Sequence, residues 1–189
     1  MNHIMIDLET MGNKPNAAIV AVGAVFFDPA TGEIGAQYSS PVLLASETTH
    51  GAAMDADTVI WWLQQSSEAR AVIACATKSI LVVLHELSIF VNEHSTARNV
   101  QVWGNGASFD NVILRSAYQR IGHPAFWPFW FDRDVRTMVE LGRQIGIDPK
   151  RDTPFTGERH DALADAIHQA QYVSVIWQRL IPATSEAHP

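Results

Sequence analysis

The chain has 189 residues, 47% of them apolar and 17% charged, with a formal net charge of −7 and one cysteine, Cys75. These values fit one soluble globular domain with a full-sized core and exclude a low-complexity, collagen-like or disulfide-stapled chain. The acidic balance argues against a purely electrostatic nucleic-acid binder, unless several of the acids are metal ligands.

His3–Asp7 is apolar and β-friendly and predicts a first strand, which Asp7 and Glu9 interrupt at its end. After the turn GNKPN (12–16), AAIVAVGAVFFD (17–28) is apolar on both faces and predicts a central strand. Its apolar run is too short to span a bilayer, and the N-terminus lacks a signal-peptide pattern, so a cytoplasmic location is expected. DPATG (28–32) is a turn signal, and EIGAQYSSPV (33–42) reads as the returning strand of a hairpin.

A helical middle follows. TVIWWLQQS predicts a helix capped by Asp57 or Thr58, and residues 78–94 predict another. The second carries an apolar stripe at Ile80, Val83, Leu84, Leu87 and Val91, and is a candidate surface for a homodimer. VQVWGN (100–105) predicts a short buried strand, SFDNVILRSAYQRIG (108–122) a helix capped by Ser108, and PFWFD (128–132) a last strand. A helix is expected from Asp134 to Gly146. The final one runs from about Asp161 to Leu180, burying Leu163, Ala166, Ile167, Ala170, Val173 and Ile176. This order predicts an α/β fold, a mixed sheet with helices on both faces, in one domain over residues 1–182 with a tail at 183–189.

Asp7 and Glu9 are two apart, so in a strand they share a face. Left bare they would repel and lose solvation together; a bound divalent cation removes both penalties. The alternative is a strand that ends at Asp7 with both acids facing water. Three further groups join them: Asp110 in WGNGASFDN, and His160 and Asp165 in GERHDALADA. Singly, Asp110 reads as a helix-dipole acid, Asp165 as an exposed helix acid and His160 as a loop histidine. Together they fall at the rim of one sheet edge, where open α/β sheets place ligands. Four carboxylates suit hard Mg²⁺ or Mn²⁺, one cysteine excludes a thiolate zinc site, and a histidine beside them is a candidate general base.

The order D-x-E in IDLETMG, F-D in NGASFDN and H-x-x-x-x-D in HDALAD resembles the DEDDh exonucleases of the ribonuclease H-like superfamily. GNGASFDN, RDVRT and the tryptophan pair resemble a phage and prophage subgroup, exonuclease VIII-like or exoribonuclease-like. The resemblance implies a ribonuclease H-like five-stranded sheet and removal of nucleotides from single-stranded 3′ ends with two metal ions. It implies that Asp7 bridges both metals, that Glu9 and Asp165 complete one site, and that Asp110 holds the second metal. His160 would deprotonate the attacking water. Asp161 and Asp165 share a helical face whereas His160 does not, so either that face carries the chemistry, or the family reading holds and His160 lies outside the regular helix with Asp161 as its cap.

End recognition needs other groups. The resemblance implies that the Met11–Gly12 loop holds the terminal nucleotide through backbone amides and an apolar wedge, and Thr10 is placed to bond the terminal sugar. Trp61 and Trp62 point about 100° apart on a helix, so either both serve as core or helix-packing residues or one packs while the other stacks on a base. Phe109 is a similar aromatic candidate, with core packing as its alternative. Asn105 and Asn111 flank Asp110 as candidates to bond substrate or the ligand carboxylates, or as turn and helix-start residues; Arg133, Arg136 and Arg159 are candidate phosphate contacts or surface arginines. Two rival functions share these residues: a catalytically idle nucleic-acid-binding domain and a small-molecule nucleotide phosphohydrolase. The intact acid set disfavours the first, and oligonucleotide hydrolysis would dismiss the second.

Overall fold

The computed structural model describes residues 1–95, 99–157 and 160–181. Five strands, β1 (His3–Thr10), β2 (Ile19–Phe27), β3 (Ile34–Pro41), β4 (Gln101–Gly104) and β5 (Asp132–Asp134), form one sheet in the order β3-β2-β1-β4-β5. β1–β2 and β2–β3 pair antiparallel, while β1–β4 and β4–β5 pair parallel, which gives the expected mixed sheet. The helices are α1 (Leu44–Thr49), α2 (Ala56–Leu63), α3 (Ser67–Ala74), α4 (Ile80–His94), α5 (Asp110–Arg120), α6 (Val135–Gln144), α7 (Pro149–Asp152) and α8 (Ala162–Leu180).

The alternation of β1 divides the core. Ile4, Ile6 and Leu8 join Val83, Leu84, Leu87, Ile113 and Leu114 beneath α4 and α5. Met5 joins Val135, Ala166, Ala170 and Val173 beneath α6 and α8. By the two-residue period, Asp7 and Glu9 continue the Met5 face, toward α8. β2 is buried along its whole length, as expected of a central strand covered on both sides. The α4 stripe is fully buried, and Phe90 extends it. On α8, Ala166, Ala170, Val173 and Ile176 are buried, whereas Leu163 and Ile167 are half-buried at the margin of the cluster.

Several local expectations are corrected. β1 does not end at Asp7 but continues to Thr10, so both acids belong to the sheet. α2 begins before Asp57, at Ala56, and Asp55 spends its carboxylate on the Asn13 amide and the Lys14 ammonium. Ser108 does not cap α5, which starts at Asp110 after Phe109. PFWFD is a 3₁₀ turn over Phe129–Phe131, and the edge strand comes after it, at Asp132–Asp134. Asp134 and Asp161 do cap α6 and α8, accepting from the Thr137 and Ala164 amides. Residue Arg159 and the tail at 183–189 lie outside the described residues.

One glycine sets the position of α8. Gly23 of β2 pairs with Asp7 of β1, and a Cβ on Gly23 would fall on the Ala162 carbonyl and the Leu163 nitrogen. Only a residue without a side chain lets the start of α8 lie this close to the sheet. The first turn of that helix is thereby held next to the acid-bearing stretch of β1.

Candidate active site

Asp7 and Glu9 on β1 and Asp165 on the first turn of α8 each offer a carboxylate oxygen, and the three atoms lie within 4.8 Å of one another. Asp110 comes from the other side of the sheet. It is 3% exposed and accepts from the Leu8 amide at 3.2 Å, which ties the first turn of α5 to the strand between Asp7 and Glu9. Gly104 permits that approach, because a Cβ there would overlap Asn111 Oδ1 and crowd Asp110.

Burial and mutual repulsion dominate the electrostatics. Desolvation, then the charges of Asp110 and Glu9, raise the Asp7 carboxyl well above the usual range, against a bond from Gln169. Desolvation and the Asp165 and Asp110 charges push Glu9 up to about 8. Asp110 rises to about 7 through burial, although the Leu8, Asn105 and Asp110 amides and the Arg136 charge favour its ionised form. A set of oxygen donors that is costly to ionise fits a hard divalent cation, which supplies the missing counter-charge.

His160 has φ +64°, the sole positive value at a non-glycine residue among those described. It lies outside α8, with Asp161 as the cap, which is the arrangement the family resemblance needed. Its ring meets the Trp61 ring edge-on, with centroids 4.9 Å apart. Trp61 and Trp62 divide between the cavity and the core. Trp62 is 4% exposed, packs with Met11, Ala18 and Val20, and donates its indole N–H to the Thr10 carbonyl at 2.9 Å. Trp61 is 40% exposed and lines a cavity of about 410 Å³ together with Asp7, Glu9, Thr10, Gly12, His160 and Gln169.

The remaining candidates take varied places. Thr10 donates its hydroxyl to the Gly12 carbonyl at 2.7 Å and lines the same cavity. Met11 is buried, its amide donates to the Ala18 carbonyl and its carbonyl accepts from Asp55. The side chain therefore forms the floor of the loop rather than a projecting wedge. Asn105 and Phe109 are half-buried at the cavity rim. Asn111 is buried and donates to the Val102 carbonyl and Asp132, a bond across the sheet rather than into the cavity. Arg133 bonds the Trp130 and Asp132 carbonyls. Arg136 is exposed beside Gly106 and lines a second cavity of about 830 Å³ that shares Asn105, His160 and Asp165 with the first.

Sequence reasoning missed two contributors. Gln169, one turn beyond Asp165, donates to Asp7 Oδ1 at 2.7 Å; the i,i+4 spacing was the available signal. Asp134, read as a helix cap alone, also accepts from the Ala107 amide and so holds the loop that precedes Asp110.

Comparison with known proteins gives a consistent result. The model of the 3′-5′ exoribonuclease Rv2179c-like domain matches residues 2–177. An exodeoxyribonuclease of Enterobacteria phage T4 is 28% identical over 166 residues, covering 74% of this chain and 71% of that protein. The nuclease domain of 3′hExo, a DEDDh family member solved bound to rAMP, superposes with a TM-score of 0.62 at 15% identity, over 94% of this chain and 92% of that one. E. coli Exonuclease I in complex with a dT13 oligonucleotide superposes with a TM-score of 0.63 at 14% identity. That match covers 94% of this chain but 42% of the larger protein.

Proposed function

The chain belongs to the 3′-5′ exoribonuclease Rv2179c-like family and is a 3′-5′ exonuclease, and from that premise we propose that it shortens single-stranded nucleic acid with two Mg²⁺ or Mn²⁺ ions and His160 as general base. The observation that carries this reading is the convergence of Asp7, Glu9 and Asp165 within 4.8 Å, with His160 lining the same cavity. Asp7, Glu9, Asp165 and Asp110 would hold the cations, which when bound supply charge stabilisation at the reacting phosphate.

This chain's own residues supply the rest. His160, with its left-handed backbone, precedes the helix and lines the cavity that the acids share, with its ring against the Trp61 ring. From there the ring takes a proton from the attacking water. Trp61 and the Thr10–Gly12 loop form the pocket for the terminal nucleoside: the indole stacks on the base, and Thr10 Oγ1 keeps lone pairs for the terminal sugar hydroxyl. Arg136, exposed beside Gly106, contacts phosphate.

The test is incubation with 5′-labelled single-stranded RNA and DNA in Mg²⁺, Mn²⁺ or excess chelator. A ladder shortening from the 3′ end in metal and intact strand in chelator are expected, with far-ultraviolet circular dichroism alike in both. Full activity in chelator would refute the metal reading. Cleavage of a circular single strand would refute the exonucleolytic one, and hydrolysis of free nucleotides but not oligonucleotides would favour a phosphohydrolase.

A further inference from the structure

Gln169 is 5% exposed and sits on the α8 face that buries Ala166, Ala170 and Val173. A packing position in such surroundings suits Leu or Met, and a buried amide costs about 1–3 kcal/mol unless it is bonded. Its Nε2 donates to Asp7 Oδ1 at 2.7 Å, while its Oε1 has no protein partner among the described residues. The side chain also lines the cavity shared by Asp7, Glu9, Asp165 and His160. Asp7 is the acid against which Asp110 and Glu9 both press, and the Gln169 amide bonds it.

We infer that Gln169 is a positioning residue that fixes the rotation of the Asp7 carboxylate for cation binding, an inference that rests on the metal-dependent function proposed above. One oxygen of Asp7 is clamped by the amide. The carboxylate that shares the cluster with Glu9 and Asp165 is thereby held in one rotation before any cation arrives. The clamp reaches Asp7 because Gly23 lets α8 lie against β2 directly opposite that residue. Without the donor, Asp7 is free to rotate away from its like-charged neighbours, and the site must be reordered each time a cation binds. Outer-shell partners of this kind change metal affinity by about 10–100-fold.

The experiment titrates Mn²⁺ into the protein alone, read by electron paramagnetic resonance, for wild type, Gln169→Met and Gln169→Leu. Both variants keep the volume and lose the donor. A Kd for Mn²⁺ raised at least tenfold is expected, with the oligonucleotide KM at saturating metal unchanged. In the wild type, the Gln169 side-chain amide resonances should also shift on saturation with Mg²⁺, a readout that survives even if neither variant folds. Variant Kd values within twofold of a tight wild-type value, or amide resonances that do not move, overturn the inference while leaving the exonuclease reading intact. A wild type that binds no Mn²⁺ overturns both.

Discussion

The raised carboxyls make a signed prediction about the metal-free protein. Glu9 has an ordinary value of 4.5 and is pushed up to about 8 in the fold. Between pH 6 and pH 8 its unfolded-state carboxyl is already ionised, whereas the folded one releases about half a proton by the upper limit. A folded pKa above the unfolded one stabilises at low pH, and that stability is lost as pH rises through the folded value. At about 1.4 kcal/mol per pH unit per proton, the loss over this interval is about 2 kcal/mol from Glu9 alone. Asp110, raised to about 7, acts in the same direction. For a chain of this size, 2 kcal/mol lowers Tm by about 4–8 °C. Thermal melts in chelator at pH 6, 7 and 8 measure it, and Glu9→Gln should flatten the slope by the Glu9 share. That comparison removes unrelated groups, including His3, whose burial-lowered pKa acts in the opposite sense. Saturating Mg²⁺ should restore Tm most at pH 8. A metal-free Tm that is level or rising from pH 6 to pH 8, or one whose slope Glu9→Gln leaves unchanged, would refute the account of a desolvated, mutually repelling acid set.

Other perturbations follow from the same geometry. Asp7→Asn and Asp165→Asn should each remove nearly all nucleotide release while raising the metal-free Tm, since each deletes one of the crowded charges; wild-type turnover in either variant would dismiss that ligand. His160→Ala and His160→Gly should both lower kcat by about 10²–10⁴, yet the glycine variant should be more stable than the alanine one by about 1 kcal/mol, because φ is +64° there; equal melting temperatures would argue against the left-handed backbone. Trp61→Ala should raise the oligonucleotide KM about 5- to 100-fold through lost stacking, whereas Trp62→Ala should mainly cost core stability, and denaturant melts beside steady-state kinetics separate the two. Gly23→Ala should abolish activity without touching an acid, since the added methyl displaces the start of α8, and a variant with normal kcat would show that the helix can yield.

The acid set was legible because its signals are local. Two carboxylates at a two-residue spacing share a strand face wherever that strand pairs, and the family resemblance already needed His160 to leave the helix that carries Asp161 and Asp165 on one face. The strand order was legible in kind, from the succession of hairpin, helices and strand–helix units. What escaped depends on contacts distant in the chain. Nothing near Gly23 announces that α8 comes to rest on it, and Gln169 has no role until that happens. Trp61 and Trp62 were separable in principle, but which of them faces inward is set by where α2 docks on Met11 and Val20. PFWFD has the composition of a strand, yet Asp132 gathers the Trp127 indole, Arg115 and Asn111, and pairing begins only there.

The docking of α8 also fixes when in the life of the chain the nuclease appears. Asp7, Glu9 and Asp110 are synthesised early, but the acid that closes the set and the amide that clamps it stand at 165 and 169. Domains form from the N-terminus as they are made, and contacts of high sequence separation form late. A nascent chain that has built its sheet therefore still lacks Asp165 and Gln169 until α8 has emerged and settled over Gly23. Ribosome-stalled chains of increasing length, assayed on a labelled oligonucleotide, should switch on abruptly once α8 is clear of the exit tunnel.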